Sequence, residues 1–233
     1  MPPKHDSSCY ANQTIEWFQT DSEERYQKNL SERENELRKF FWVNRPFTYQ
    51  FNSAGFRSDE FDADAPGIVF LGCSHTVGVG LPVETTFSNI IATELNLKCY
   101  NLGVAGAAND TAFRLADYYI PSLNIKTVVF LSSERTRFEL FTDNEERYIL
   151  TPSNNTLKDS IRGFYRHWLS NDINSNVQHR RNVLAIQQLC SQRNIKFYHK
   201  EFLNFPLIDK ARDLAHYGIN SNRQIAQKIL ATL

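Results

Sequence analysis

The chain has 233 residues, enough for one ordinary globular domain with some decoration. It is 41% hydrophobic and 13% aromatic, which supports a sizeable core. Lys plus Arg and Asp plus Glu both number 26, so no field of one sign draws the whole chain onto nucleic acid or an acidic membrane.

Cys9, Cys73, Cys99 and Cys190 are far apart, with no CxxC pair and no Cys/His cluster at zinc spacing. Cys73 and Cys99, in or beside apolar runs, read as small core residues of a reducing compartment, and no metal or cofactor is expected. The N-terminus lacks the apolar region of a secretory signal, and no stretch reaches the length of a membrane span. A cytoplasmic location is the expectation, with a viral or exported origin left open.

Residues 1–20 are polar and read as a loose arm. From 21 to 41 the chain is highly charged, yet Tyr26, Leu30, Leu37 and Phe41 share one helical face. This predicts an amphipathic helix with a solvated charged side, a candidate contact for a protein partner. Breaks at Arg45-Pro46, Asn52-Ser53-Ala54-Gly55 and Ala65-Pro66 mark a lead-in segment. The expected division is therefore 1–66 (arm, helix and lead-in) and 67–233 (an α/β domain).

Gly67-Ile68-Val69-Phe70-Leu71 is a continuous apolar run, as in a parallel strand buried on both faces. A helix with Phe87, Ile90, Ile91 and Leu95 on one side follows it. Further strands are expected near 97–102, 127–131 and 195–199, with helices at about 111–120 and 177–193. A last helix should follow the capping-box spacing of Ser221 to Gln224. Residues 134–175 read as an irregular insertion, with Pro152 and the aromatics Phe138, Phe141, Tyr148, Phe164, Tyr165 and Trp168 either packing it or forming a lid. Strand–loop–helix alternation predicts an open parallel sheet with helices on both faces, and ligand sites at the strand C-termini.

Three short motifs fall where that edge is expected. Ser74 follows the first buried strand, after Gly72, and fits either a nucleophile or an ordinary loop serine. Asp213 and His216, near the C-terminus, are spaced so that the carboxylate can reach one imidazole nitrogen while the other faces a pocket, or so that the two make only a local contact in a surface loop. Gly103 and Gly106 could each offer a backbone N–H to an oxyanion, or only make the turn. Asn109 fits a side-chain oxyanion donor or a helix N-cap. His75 and His199 read as structural histidines.

Gly72-Cys73-Ser74-His75-Thr76 resembles the first block of the SGNH/GDSL hydrolases, Asn101-Leu102-Gly103-Val104-Ala105-Gly106 the second, and Asp213-Leu214-Ala215-His216 the C-terminal Asp-x-x-His. Asn52-Ser53-Ala54-Gly55-Phe56-Arg57 is similar to a segment of some members. The resemblance spans roughly residues 50–233. It implies a flavodoxin-like three-layer α/β/α sandwich with a parallel sheet of four to five strands, the fifth short and near 205–208. It also implies Ser74 as nucleophile, His216 as general base and acid, and Asp213 as its orienter. Ser74 and Gly106 N–H would form most of the oxyanion hole. The implied activity is hydrolysis of a small-molecule or glycan acyl ester, short-chain or acetyl. An O-acyltransferase on the same triad, or a weakly catalytic binding or assembly protein, are the alternatives. Two departures stand out. Cys73 replaces the aspartate before the nucleophile, and the third block has Ser132-Ser133-Glu134-Arg135 in place of an asparagine-bearing loop. Asn109 is the candidate substitute for that asparagine, with Ser133 and Arg135 behind it.

Overall fold

The structure, a computed structural model, describes His5 and residues 7–142, 147–151, 159–169 and 171–233. Four parallel strands form the central sheet: β3 (Gly67–Leu71), β4 (Lys98–Asn101), β5 (Ile125–Ser132) and β8 (Lys196–Glu201), in the order β4-β3-β5-β8. Their alternating side chains feed two cores. Val69, Leu71, Val128 and Phe130 face α5 (Asn109–Tyr119) and α7 (Asp172–Ser191). Ile68, Phe70, Val129 and Leu131 face α4 (Phe87–Glu94) and α8 (Ile219–Leu230). Both faces being covered is why β3, and β5 from Val128 to Leu131, are unbroken apolar runs. The result is the three-layer α/β/α architecture. The strand order reverses between β3 and β5, so the loops leaving them open the crevice where such sheets hold ligands.

The fifth strand does not form. The chain leaves β8 through a single 3-10 turn, Phe202–Asn204, and Phe205 turns into the core beneath α8. Pro206 follows and has no N–H to give a ladder. α8 starts at Ile219, earlier than the capping-box spacing suggests. The Asp209 carboxylate accepts Asn220 N–H at 2.9 Å and Ser221 N–H at 2.8 Å, capping the helix from outside its own sequence. Ser221 lies inside the helix, its hydroxyl 2.9 Å from Asp209.

The N-terminal region departs from expectation in two ways. The predicted arm is packed where it is described: His5, Ser7 and Phe18 are buried, and β1 (Thr14–Ile15) pairs antiparallel with β2 (Tyr49–Gln50). Residues 1–4 and 6, also part of that arm, lie outside the described residues. The single helix over 21–41 is instead two, α1 (Glu23–Glu32) and α2 (Glu34–Lys39), because Arg33 leaves helical geometry at φ −138°. Phe41 sits in the following turn at φ +62° and is 77% exposed, so it is not part of the apolar stripe. Trp42 takes that place, packing with Leu37 against Leu81, Ala211 and Leu214.

The insertion is more regular than its sequence suggests. β6 (Phe138–Phe141) and β7 (Arg147–Leu150) form a hairpin, and α6 (Asp159–Leu169) and α3 (Ser74–Val77) complete the α-helices among the described residues. Phe138, Tyr148, Tyr165 and Trp168 pack together, whereas Phe141 and Phe164 are exposed. Glu139 is buried between Arg114 and Arg147 and fastens the hairpin to α5. Pro152 and the stretches 143–146 and 152–158, where a lid would be sought, lie outside the described residues.

Candidate active site

Ser74 is the first residue of α3, one step past the end of the β3 turn. That turn requires Gly72. Its φ is +156°, and a Cβ there would stand 2.2 Å from Thr76 Oγ1 and 2.7 Å from Leu131 O. The tight bend brings the Ser74 hydroxyl to the sheet edge while Cys73 stays buried behind it.

Residues 211–216 come back to the same edge. Leu214 adopts φ +54°, and the Asp213 Oδ1 accepts the N–H groups of Ala215 and His216, both at 3.0 Å. This local turn swings the His216 ring over its own aspartate. Nδ1 lies 2.6 Å from Asp213 Oδ2, and Nε2 lies 2.8 Å from Ser74 Oγ. The carboxylate holds the proton on Nδ1, which leaves Nε2 to accept from the serine hydroxyl. The three residues the sequence singled out, Ser74, His216 and Asp213, therefore form one continuous hydrogen-bonded chain. Asp213 is 1% exposed. Burial pushes its carboxyl up, but the bonds from His216 and from Thr20 outweigh this and hold it well below the usual carboxylate range.

The expected oxyanion donors divide differently from the sequence expectation. Ser74 N–H heads a helix and has no backbone acceptor among the described residues. Gly106 N–H likewise has none; the residue is exposed, at φ +71°, with open space where a Cβ would stand. Gly103 N–H is spent on Asn101 Oδ1 at 3.0 Å, so this glycine makes the turn only. Asn109 is buried, and its amide hydrogens are directed at Ser133 O and His179 Nδ1, both at 3.3 Å. Its Oδ1 takes Ser133 N–H at 3.0 Å. Asn109 thus ties α5 to the end of β5 and α7, with no amide hydrogen left to give an oxyanion. It is not the helix cap either, since Ala108 holds that position. Arg135 is turned to Asn176 and Glu201.

His75 stacks on Phe202 at 3.9 Å between ring centroids and lies 4.7 Å from His216. Burial, with the neighbouring His216, pushes its pKa down to about 3, so it is a neutral wall rather than a second base. His199 bonds Ser132 Oγ at 3.0 Å, and burial with nearby His179 lowers it to about 4. Among the described residues no three His, Cys, Asp or Glu side chains converge in a way that could hold a metal ion. No described helix is long and apolar enough to cross a membrane.

Sequence reasoning missed the N-terminal contribution. Thr20 Oγ1 donates to Asp213 Oδ2 at 2.7 Å, while Arg25 Nε and Asn29 Nδ2 donate to the Asp213 carbonyl at 3.0 and 3.3 Å. Asp21 forms a buried ion pair with Arg212 at 2.7 Å and accepts the Tyr49 hydroxyl at 2.5 Å. Tyr49 in turn receives Gly80 N–H at 2.8 Å. A polar segment some 190 residues away in sequence gives no local signal of these contacts.

No protein-family model matches the chain, and no curated protein does. Solved structures do. An acetyl xylan esterase, AlAXEase, is 16% identical at a TM-score of 0.37, over 72% of this chain and 99% of the other. A lipolytic-type protein of the G-D-S-L family from Desulfitobacterium hafniense DCB-2 is 10% identical at 0.38, over 73% and 100%. The psychrotrophic esterase EstA from Pseudoalteromonas sp. is 11% identical at 0.37, over 72% and 96%. None of these scores reaches 0.5, and the chemistry of the site rests on its own geometry.

Proposed function

We propose that the chain is a serine hydrolase that cleaves an acyl ester, acetyl or short-chain, through an acyl-enzyme. The observation that carries this reading is the unbroken chain Ser74 Oγ–His216 Nε2 at 2.8 Å and His216 Nδ1–Asp213 Oδ2 at 2.6 Å. His216 Nε2 takes the Ser74 proton as Oγ attacks the ester carbonyl, and Asp213 stabilises the imidazolium that results. Ser74 N–H and Gly106 N–H are the free donors for the developing oxyanion. Collapse passes the imidazolium proton to the leaving alkoxide. Water, activated by the same imidazole, then releases the acid. An acceptor hydroxyl in place of water would make the same site an O-acyltransferase.

One observation favours a slower or non-catalytic reading. The Asn109 amide is committed to Ser133 and His179, which leaves two backbone donors and no side-chain donor among the residues assigned to the oxyanion. A missing donor of this kind costs about a hundredfold to a thousandfold in kcat. That lowers the rate without removing the nucleophile.

The test is hydrolysis of p-nitrophenyl acetate and butyrate by the purified protein beside Ser74→Ala. Ser74-dependent turnover supports the reading, and the acetate-to-butyrate ratio bounds the acyl pocket. Background rates from two folded proteins would overturn general esterase activity and leave a strict transferase or a binding protein.

A further inference from the structure

The Asp213 carboxylate has four hydrogen-bond donors, and one comes from the other end of the chain. Oδ1 takes the two N–H groups of its own turn. Oδ2 takes His216 Nδ1–H at 2.6 Å and the Thr20 hydroxyl at 2.7 Å. Thr20 Oγ1 is also 3.5 Å from His216 Nδ1, so hydroxyl, carboxylate and imidazole meet at one oxygen.

Thr20 is held in place from both sides. Phe18 and Asp21 exchange N–H···O bonds at 2.9 and 3.1 Å around it, closing a tight turn with Gln19 at φ +56°. Next to it, Asp21 is buried against Arg212, the residue before Asp213. One and two helical turns later, Arg25 and Asn29 grip the Asp213 carbonyl. Before Thr20, the Glu16 carbonyl accepts from Arg212 Nη2 at 3.0 Å, so the segment is fastened to residues 212–213 on either side of the hydroxyl.

We propose that Thr20 is a positioning residue of the triad, its hydroxyl fixing the Asp213 carboxylate in the orientation that receives His216. This rests on the reading of Ser74, His216 and Asp213 as a catalytic triad. The two N–H bonds anchor only Oδ1. Without a second donor, Oδ2 is held by the imidazole alone, which must itself stay aligned on Ser74. A charge-assisted O–H···O bond supplies an anchor independent of the imidazole. It also spreads the carboxylate charge, which keeps the proton on Nδ1 during transfer.

The experiment compares the whole protein with Thr20→Val and Thr20→Ser. Valine is nearly isosteric and puts a methyl where the hydroxyl stood, removing the donor, whereas serine keeps it. Two readouts are taken: kcat and KM on p-nitrophenyl acetate, and the downfield proton resonance of His216 Nδ1–H, which needs no turnover. Thr20→Val should lower kcat about tenfold with KM within about twofold, as expected for loss of one hydrogen bond to a charged group, and should move or broaden the resonance. Thr20→Ser should restore both. An unchanged resonance and kcat in Thr20→Val would overturn the proposal, as would a serine variant as impaired as the valine one. If the wild-type protein shows no Ser74-dependent turnover but the resonance still responds to valine and not to serine, the hydrolase reading fails and the positioning of the Asp213–His216 pair stands.

Discussion

Asp21→Asn tests whether the N-terminal segment is part of the folded site. The Asp21 side chain is 1% exposed and that of Arg212 4%, and Arg212 Nε and Nη2 contact the carboxylate at 2.9 and 2.7 Å. The guanidinium is enclosed by Trp17 at 4.1 Å and Phe47 at 3.8 Å, so water cannot replace the lost charge. Removing one partner of a buried pair costs about 3–5 kcal/mol, because the other charge is left uncompensated. For a domain of this size each kcal/mol lowers Tm by about 2–4 °C, so the variant should melt roughly 6–20 °C lower. The assay is thermal unfolding followed by circular dichroism, beside Glu36→Gln. Glu36 bonds Arg33 and Lys210 with 39% of its side chain exposed, and such surface pairs contribute at most about 1 kcal/mol. A double variant, Asp21→Asn with Arg212→Met, should recover part of the loss. Equal melting of Asp21→Asn and Glu36→Gln would refute the reasoning, since it would mean the pair is not buried in solution.

Three other perturbations have signed outcomes. Gly72→Ala should be strongly destabilising in a denaturant titration, because its Cβ meets Thr76 and the Leu131 carbonyl; Gly106→Ala, with open space, should cost only the backbone strain of about 1–2 kcal/mol. Asp213→Asn should lower kcat by about 10³–10⁴ in the ester assay while the protein remains folded, because the imidazole loses its tautomer control. Stability should fall as pH drops from about 6.5 toward 3. His75 and His199 are lowered to about 3 and 4 when folded but take up protons near 6.5 when unfolded, so unfolding binds protons throughout that window. Urea midpoints across the range measure this, and His199→Gln should flatten the slope by about one proton.

The centre of the sheet was legible because β3 and most of β5 are buried on both faces. Ile68 to Leu71 and Val128 to Leu131 have no polar residue to mistake for a turn, and glycine or small residues follow at the strand ends. Ser74, Asp213 and His216 were legible because local geometry determines their direction: a glycine-forced bend for Ser74 and a four-residue turn for Asp213–His216. Asn109 was misplaced because its partners, Ser133 and His179, are set by tertiary packing that spacing does not reveal. The polar residues 14–20 read as loose for a related reason. Their anchors are single side chains, Phe18 in a small cluster and Asp21 in an ion pair, and both partners lie far along the chain. The split between α1 and α2 was hidden because Arg33 is an ordinary helix former by propensity, and its departure serves the packing of Leu37 and Trp42.

The central claim is that Ser74 is a nucleophile activated by His216. Its most direct test is intact-mass and peptide mass spectrometry after treatment with an activated organophosphonate ester. The account predicts one adduct per chain, located on Ser74, absent in Ser74→Ala and strongly slowed in His216→Gln. No adduct on the folded wild-type protein, or an adduct that forms equally well in His216→Gln, would contradict it.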